Sequence, residues 1–290
     1  MKYSRSDVRK KAHALPKLKF ENQRLTSFAG LVVFQEFFAA VDLKVRLIGC
    51  FRHLNGGKVF NRATVFLQLI VHLLLGFREL QDCRYYRDDP LVKRLLGLKR
   101  LPDVATVSRV LKEAGAKSVE NLRRLLREIV LDRLISVAPA RITLDFDGSV
   151  QSTKRRAEGT AVGFNRKKKG ARSYYPLFCT IAQTLQVLDF LHRSGNVHDS
   201  KGAKTFILAC IDAVRTAVPG AQIEVRMDSA FFSDDIVTAL ADRGVEFTIS
   251  VPFERFVELK GMIEQRRRWR RMDGEVSYFE DSWKPQCWDR

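Results

Sequence analysis

The sequence is poor in cysteine, and its five cysteines share no spacing. Cys50, Cys83, Cys179, Cys210 and Cys287 form no CxxC pair, and no histidine sits at zinc-finger distance from them. An odd, scattered set argues against a disulfide framework and a structural zinc site, and fits a reducing cytoplasm. Cys210 falls within a helical apolar pattern and is expected in the core. The N-terminus is basic and lacks an apolar h-region, so no secretory leader is expected. No run is long enough to span a bilayer. The longest apolar stretch, Val65 to Phe77, is broken by Gln68 and His72 and reads as a buried helix. Acidic residues are also in deficit, with 33 Asp and Glu against 51 Lys and Arg, a formal net charge of +18. Such an imbalance speaks to partners, and the leading partner is a polyanion, DNA or RNA. A ribosomal or membrane-surface role is the alternative.

What is present is a soluble, globular composition. With 290 residues, 46% hydrophobic and 29% charged, the chain can bury a sizeable core and has room for two domains. The charge is uneven. Residues 1–140 carry 27 Lys and Arg against 13 Asp and Glu, whereas residues 141–290 carry 24 against 20. The first half is therefore expected to bind, and the second holds the clustered carboxylates.

Residues 1–24 read as a basic arm, with seven Lys or Arg in the first nineteen positions. Residues 25–138 read as an all-helical domain. A helix is expected from Ser27 to Phe51, capped by Thr26 or Ser27, with Leu31, Phe34, Phe38 and Val41 at helical spacing. Asn55-Gly56-Gly57 makes a turn. Further helices are expected over Arg62–Leu75, within Asp82–Pro90, and over Leu91–Leu96, the last closed by Gly97. Asp103 is a plausible cap for a short helix ending near Gly115, from which Thr106, Ser108 and Arg109 would project. That pair of helices resembles a helix-turn-helix. An amphipathic helix over Ser118–Ile135 follows, and Ala138-Pro139 ends the block.

The texture changes at Arg141. A strand over 141–147 leads into a loop rich in glycine and charge over 154–172. Tyr174–Ala182 and Gln186–Leu191 read as strands in a hairpin around Thr184. Asp199 or Ser200 caps a helix to Ala217 whose stripe is Phe206, Ile207, Cys210, Ile211 and Val214. Pro219-Gly220 turns into a strand ending at Asp228. Ser233 caps a helix over Asp234–Asp242, Val245–Val251 is a strand, and Phe253–Gln265 is a helix. Three antiparallel strands followed by alternating helix and strand give an α/β fold, a mixed sheet covered by helices in the ribonuclease H-like order, over residues 139–265. In that order the first and fourth strands are neighbours, so Asp147 and Asp228 would lie side by side.

Two carboxylates at adjacent strand ends suit a hard divalent cation such as Mg²⁺ or Mn²⁺, which takes one or two carboxylates with phosphate oxygens and water. Two such metals about 3.5–4 Å apart activate the attacking oxygen and stabilise the leaving one. Asp147 is favoured over Asp145 because it stands at the strand end, before a Gly-Ser that frees the backbone to turn. Asp145 shares its face and is the fallback ligand. Arg226 lies on the face of Asp228 and could pair with a carboxylate or a phosphate. Nucleic-acid contacts are expected from Arg155, Arg156, Lys167, Lys168 and Lys169 in the basic loop. They are also expected from Arg267, Arg268 and Trp269, where an aromatic inside an arginine run suits phosphate contact with stacking. Residues 266–290 read as the start of a β-rich element, Glu275 to Glu280 alternating like a strand.

Three segments, Leu144-Asp145-Phe146-Asp147-Gly148-Ser149, Ser194-Gly195-Asn196-Val197-His198-Asp199-Ser200 and Arg226-Met227-Asp228-Ser229-Ala230-Phe231, together resemble the DDE transposases of bacterial insertion sequences, nearest the group numbered thirteen-eighty, a relative of group four. The resemblance covers nearly the whole chain. It implies a two-metal site in which Asp147 and Asp228 are the first two ligands, cleavage at inverted-repeat ends, and joining of the freed 3′ ends to target DNA. It also implies double-stranded DNA as partner, a homodimer assembled on that DNA, and a place in the bacterial cytoplasm with the nucleoid. The third ligand, a Glu in a Tyr-x2-Arg-x3-Glu-x6-Lys signature, has no match over 253–290. Glu254, Glu258 and Glu264 fall too early, and the chain is expected to be cut short before that Glu, within the β-rich insertion. The alternatives are an inert DNA-binding protein derived from such a gene, acting as an inhibitor of the full enzyme, and a compact ribonuclease H-like nuclease.

Overall fold

The computed structural model describes residues 25–55, 59–153, 156–163, 165, 168–198, 201–286 and 288. The basic arm, Gly56-Gly57 of the expected turn, the expected caps Asp199 and Ser200, and Cys287 lie outside the described residues. The chain forms two compact units, divided between Gly115 and Ala116.

The first unit is helical. Its opening helix is broken in two, α1 (Leu31–Ala40) and α2 (Leu43–Cys50). At the break Asp42 adopts a left-handed conformation, φ 49°, which a short polar side chain tolerates better than most. Thr26 does not cap α1. Its hydroxyl accepts from the Phe28 amide at 3.0 Å and donates to the Asp89 carboxylate at 2.9 Å. Next come α3 (Arg62–Leu74), a 3-10 turn over Leu80–Tyr85, α4 (Pro90–Leu96) and α5 (Val104–Glu113). Each α-helix of this group starts on a side chain that accepts an otherwise orphaned amide. Asn61 accepts from Ala63, Asp89 from Leu91 and Val92, and Asp103 from Thr106. Gly97, at φ 69°, closes α4 in the left-handed conformation that favours glycine. Val65, Val107 and Val110 pack together with Phe60, Phe66, Leu69 and Leu80 around them.

A polar pair is buried in this unit. His72 and Tyr86 are 3% and 1% exposed, and His72 Nδ1 lies 2.9 Å from the Tyr86 hydroxyl. Burial pushes the His72 pKa below its usual value, against the opposing pull of Asp82. It pushes Tyr86 up to about 12.

The second unit opens with α6 (Ala116–Val137), expected within the helical block but packed here on the sheet. The main strands are β1 (Arg141–Gly148), β5 (Leu177–Ile181), β6 (Gln186–Leu191), β7 (Gln222–Met227) and β8 (Glu246–Ile249). Helices α7 (Ala203–Ala217) and α8 (Asp234–Asp242) flank β7 in sequence. The sheet order is β6-β5-β1-β7-β8, with β5 antiparallel to β1 and β6, and β7 parallel to both β1 and β8. This is the ribonuclease H-like order expected from the sequence.

Strand alternation sets the faces. Ile142, Leu144 and Phe146 of β1, with Ile223, Val225 and Met227 of β7, join one core with Val130 and Leu134 of α6, the expected stripe of α7, and Ile236 and Leu240 of α8. Cys210 is in that core, as expected. Thr143, Asp145, Asp147, Glu224, Arg226 and Asp228 alternate onto the opposite face.

The expected strand Tyr174–Ala182 is two strands. Pro176, which has no amide hydrogen to give a ladder, separates β4 (Arg172–Tyr174) from β5. β4 pairs instead with β2 (Gln151–Ser152) and β3 (Ala161–Val162) in a small sheet within what reads in sequence as a loop. Beyond β8 come α9 (Val257–Gln265), shorter than expected, and a two-stranded ribbon of β9 (Arg270–Arg271) and β10 (Ser277–Tyr278). No described helix is long and apolar enough to cross a membrane.

One buried charge fixes α6 to the sheet. Asp189 of β6 is 1% exposed. It accepts from Arg123 Nε at 3.0 Å and Nη2 at 2.9 Å, from Arg127 Nη2 at 2.5 Å, and from the Phe190 amide at 2.8 Å. A buried carboxylate is tolerable only when its oxygens are satisfied in this way. Asp189→Ala removes the shared acceptor of two arginines that remain 28% and 32% exposed, and is expected to lower stability by about 1–3 kcal/mol in denaturant titrations. His72 and Tyr86 contribute to the pH profile of the first unit, alongside Asp103, held low by the Thr106 amide, and Cys83, pushed up by burial. Below the ordinary histidine value, near 6.5, the unfolded chain takes up a proton that folded His72 refuses, so stability falls as pH falls. Between the ordinary tyrosine value of 10.0 and about 12, the unfolded chain releases a proton that Tyr86 keeps, and stability falls again. His72→Phe should flatten the acidic limb of a melting-temperature profile, and an unchanged limb would refute the assignment.

Candidate active site

Parallel pairing of β1 with β7 brings the two strand-end aspartates together. The register runs without a break from Arg141↔Gln222 to Phe146↔Met227, a constant offset of 81 residues. Asp147 and Asp228 each follow the last of these pairs, both exposed. Asp147 is still within β1, whereas Asp228 has left β7 and its Oδ1 accepts from the Ala230 amide at 3.0 Å, starting a 3-10 turn over Ser229–Phe231. That bond leaves most of the carboxylate's lone pairs for other ligands.

Asp145 is differently placed. It is the direct partner of Arg226 in the ladder, and the two form a bidentate pair, Nε to Oδ1 at 2.6 Å and Nη2 to Oδ2 at 2.8 Å. Hydrogen bonding to Asp145 holds the Arg226 guanidinium even more firmly protonated than usual. One row further in, Thr143 Oγ1 donates to Glu224 at 3.0 Å, and Arg141 reaches Glu246 at 2.5 Å. The open face thus carries a charged or polar pair in each row and ends on two carboxylates. Among the described residues no group of three or more His, Cys, Asp or Glu side chains could hold a metal. Glu254, Glu258 and Glu264 therefore do not complete one with Asp147 and Asp228. The donor set still fits a hard cation that takes one or two protein carboxylates and fills its shell with water and phosphate oxygen.

Residues 10–290 match the family described as transposase DDE domain group 1. The chain belongs to this transposase family. None of the curated proteins matches it closely enough to count as a relative. Among solved structures it is similar to a Mos1 transposase paired-end complex with left transposon end, at 11% identity over 74% of this chain and 73% of that one, TM-score 0.28. It is also similar to a piggyBac transposase synaptic complex with hairpin DNA, at 13% identity over 85% of this chain and 57% of that one, TM-score 0.40. These likenesses are distant, and the ribonuclease H-like assignment rests on the strand order.

The residues expected to contact nucleic acid fall in three places in this transposase. On α5, Val107 and Val110 are buried while Ser108 and Arg109 are exposed, and Thr106 is half-buried with its amide on Asp103. The exposed pair stands on the outer side of the second helix of the expected helix-turn-helix. Around the small sheet, Arg156, Lys168 and Lys169 are exposed, and Arg155 and Lys167 lie outside the described residues. Arg172 is spent on structure, its Nε donating to Thr160 Oγ1 at 3.0 Å. At the ribbon, Arg267, Arg268 and Trp269 are exposed. The Trp269 indole N–H donates to the Arg266 carbonyl at 3.0 Å, and Phe279 packs edge-on at 4.8 Å between ring centres. The ring is held in place yet 45% exposed.

Sequence reasoning missed Tyr175 and Arg193. The Tyr175 ring lies over Gly148, where a Cβ would stand 2.6 Å from its hydroxyl. A side chain at position 148 would therefore have to displace the end of the Tyr175 ring. Arg193, buried, donates to the Tyr175 carbonyl at 3.0 Å, and its guanidinium faces the Tyr175 ring at 5.2 Å. The glycine of Ser194-Gly195-Asn196 has a similar purpose. A Cβ on Gly195 would lie 2.4 Å from Ser173 Oγ and 2.7 Å from the Ala161 carbonyl, so only glycine lets this segment close on the small sheet. The signal was a glycine inside a motif away from any expected turn. Gly195→Ala should therefore cost about 1–3 kcal/mol through overpacking. Gly220→Ala, with open space around its Cβ, should change the melting temperature little. Equal effects would show that close approach is not what Gly195 provides.

Proposed function

We propose that this chain acts as the DNA transposase of a bacterial insertion sequence, with Asp147 and Asp228 holding Mg²⁺ or Mn²⁺ for strand cleavage and strand transfer at inverted-repeat ends. The carrying observation is the β1–β7 register, which supports the reading because its last pair, Phe146↔Met227, stands immediately before these two carboxylates. A bound metal would supply an activated nucleophile and a Lewis acid for the leaving oxygen. The chain's own part is to present two carboxylates from rigid strands and to keep Asp145 engaged with Arg226. Exposed Ser108 and Arg109 on α5, the lysines and arginine around the small sheet, and Arg267, Arg268 and Trp269 just before the ribbon are the proposed DNA contacts. Basic side chains there would neutralise phosphates, and Trp269 would stack. A homodimer assembled on double-stranded repeat and target DNA, working at the nucleoid, belongs to the same proposal.

A second reading, a DNA-binding protein without cleavage activity, draws on the lack of a third metal-ligating side chain beside the pair among the described residues. One assay separates the two. Under the first reading the chain nicks DNA carrying the element's ends only with Mg²⁺ or Mn²⁺. Asp147→Asn and Asp228→Asn then each lower the rate by at least about a hundredfold, the loss of several kcal/mol of metal-borne stabilisation, with DNA affinity retained. Binding without cleavage favours the second reading. Cleavage that survives both substitutions would remove the metal site from this pair.

A further inference from the structure

The two rows at the active end of the sheet differ in one respect. The inner row pairs a carboxylate with a guanidinium, Asp145 with Arg226, whereas the outer row sets Asp147 beside Asp228. Asp145 is two residues before Asp147, and Arg226 two before Asp228, so all four side chains share a face and the rows stand roughly 7 Å apart along the strands. The Arg226 and Asp145 side chains are 51% and 36% exposed. An ion pair this open contributes little to stability. Its cost lies elsewhere, because both partners carry full charges within reach of a site proposed to bind a divalent cation. A loose Asp145 would be a third carboxylate competing for the metal. A loose Arg226 could fold forward onto Asp147 or Asp228 and occupy the oxygens the metal needs.

We propose that Arg226 and Asp145 are positioning residues that guard the metal pair from each other: Arg226 occupies both oxygens of Asp145, and Asp145 holds the guanidinium back from Asp147 and Asp228. The bidentate geometry is what makes this effective, since it uses both carboxylate oxygens and two of the guanidinium nitrogens at once. Leu144 and Phe146 on β1, and Val225 and Met227 on β7, are buried on the core face, so neither strand can slide to relieve the pairing. The inference rests on the proposed metal role of Asp147 and Asp228.

Mn²⁺ alone, titrated into the full chain and followed by loss of the free-ion electron paramagnetic resonance signal, tests it without any need for turnover. Asp145→Asn releases Arg226 toward the pair and should weaken Mn²⁺ binding roughly tenfold, the effect of an uncompensated charge a few ångströms from the cation. Arg226→Gln releases Asp145 and should tighten binding by a similar factor. The double variant should return to within about twofold of the parent, and Arg226→Lys, which keeps the charge but loses the two-pronged fit to Asp145, should fall between the parent and Arg226→Gln. Melting temperatures should barely move, given the exposure of the pair. A purely structural role would lower the melting temperature and shift both single variants in the same direction, which overturns the proposal, as do single variants that leave Mn²⁺ affinity unchanged. Mn²⁺ binding that is absent from the parent, or indifferent to Asp147→Asn and Asp228→Asn, overturns the metal reading and this inference with it.

Discussion

The site depends on one constraint, the register of two parallel strands that are distant in sequence. Side chains of a strand alternate with period two, so a slip of one residue between β1 and β7 would drive one strand's charged set into the core. That cannot happen while Ile142, Leu144 and Phe146 pack with Ile223, Val225 and Met227 against α6, α7 and α8. The apolar alternation that buries one face therefore also fixes which polar residues meet on the other. Asp147 and Asp228 come together because the residues before them are buried.

The same sheet shows how burial decides what a charged pair is for. Asp189 is sealed in with two arginines and a backbone amide. Removing the arginines would leave a buried carboxylate, so the cluster is expected to govern docking of α6 on β6. Asp145 and Arg226 make an equally good pair by geometry, but in an open position where water screens it. The first arrangement is about stability. The second has little stability to contribute, so its effect is on the field at the end of the strands.

Much of this was legible in the residues. Alternation over 141–147 and before Asp228, the apolar stripe of α7, the cap Asp103 and the start of α8 after Ser233, whose side chain makes no capping bond, are local patterns, and local patterns survive folding. The strand order followed from counting elements, and the neighbouring strands from that order. What was not legible was set by long-range contact. Nothing local marks Asp42 as the point where one helix becomes two. The split between β4 and β5 has a sequence signal in Pro176, but two-residue strands such as β2 and β3 are too short for periodicity to show. Gly148 reads as a turn residue and Gly195 only as part of a motif, and it is the ring of Tyr175 and the side chain of Ser173 that show what stands beside them.

The charge of the chain is a coarser guide than its placement. A surplus of 18 positive charges points to a polyanion but not to where it lies. The second half, close to neutral in sum, carries the carboxylates and also exposed cations around the small sheet and on the β9–β10 ribbon. A metal bound between Asp147 and Asp228 would carry the same sign as those cations. A phosphate backbone crossing this end of the sheet would then meet positive charge at the metals. In that view the carboxylates do not repel the nucleic acid. They convert a local patch of negative charge into a metal-dependent attachment point, and binding there becomes contingent on the cation in a way that Ser108 and Arg109 on α5 are not.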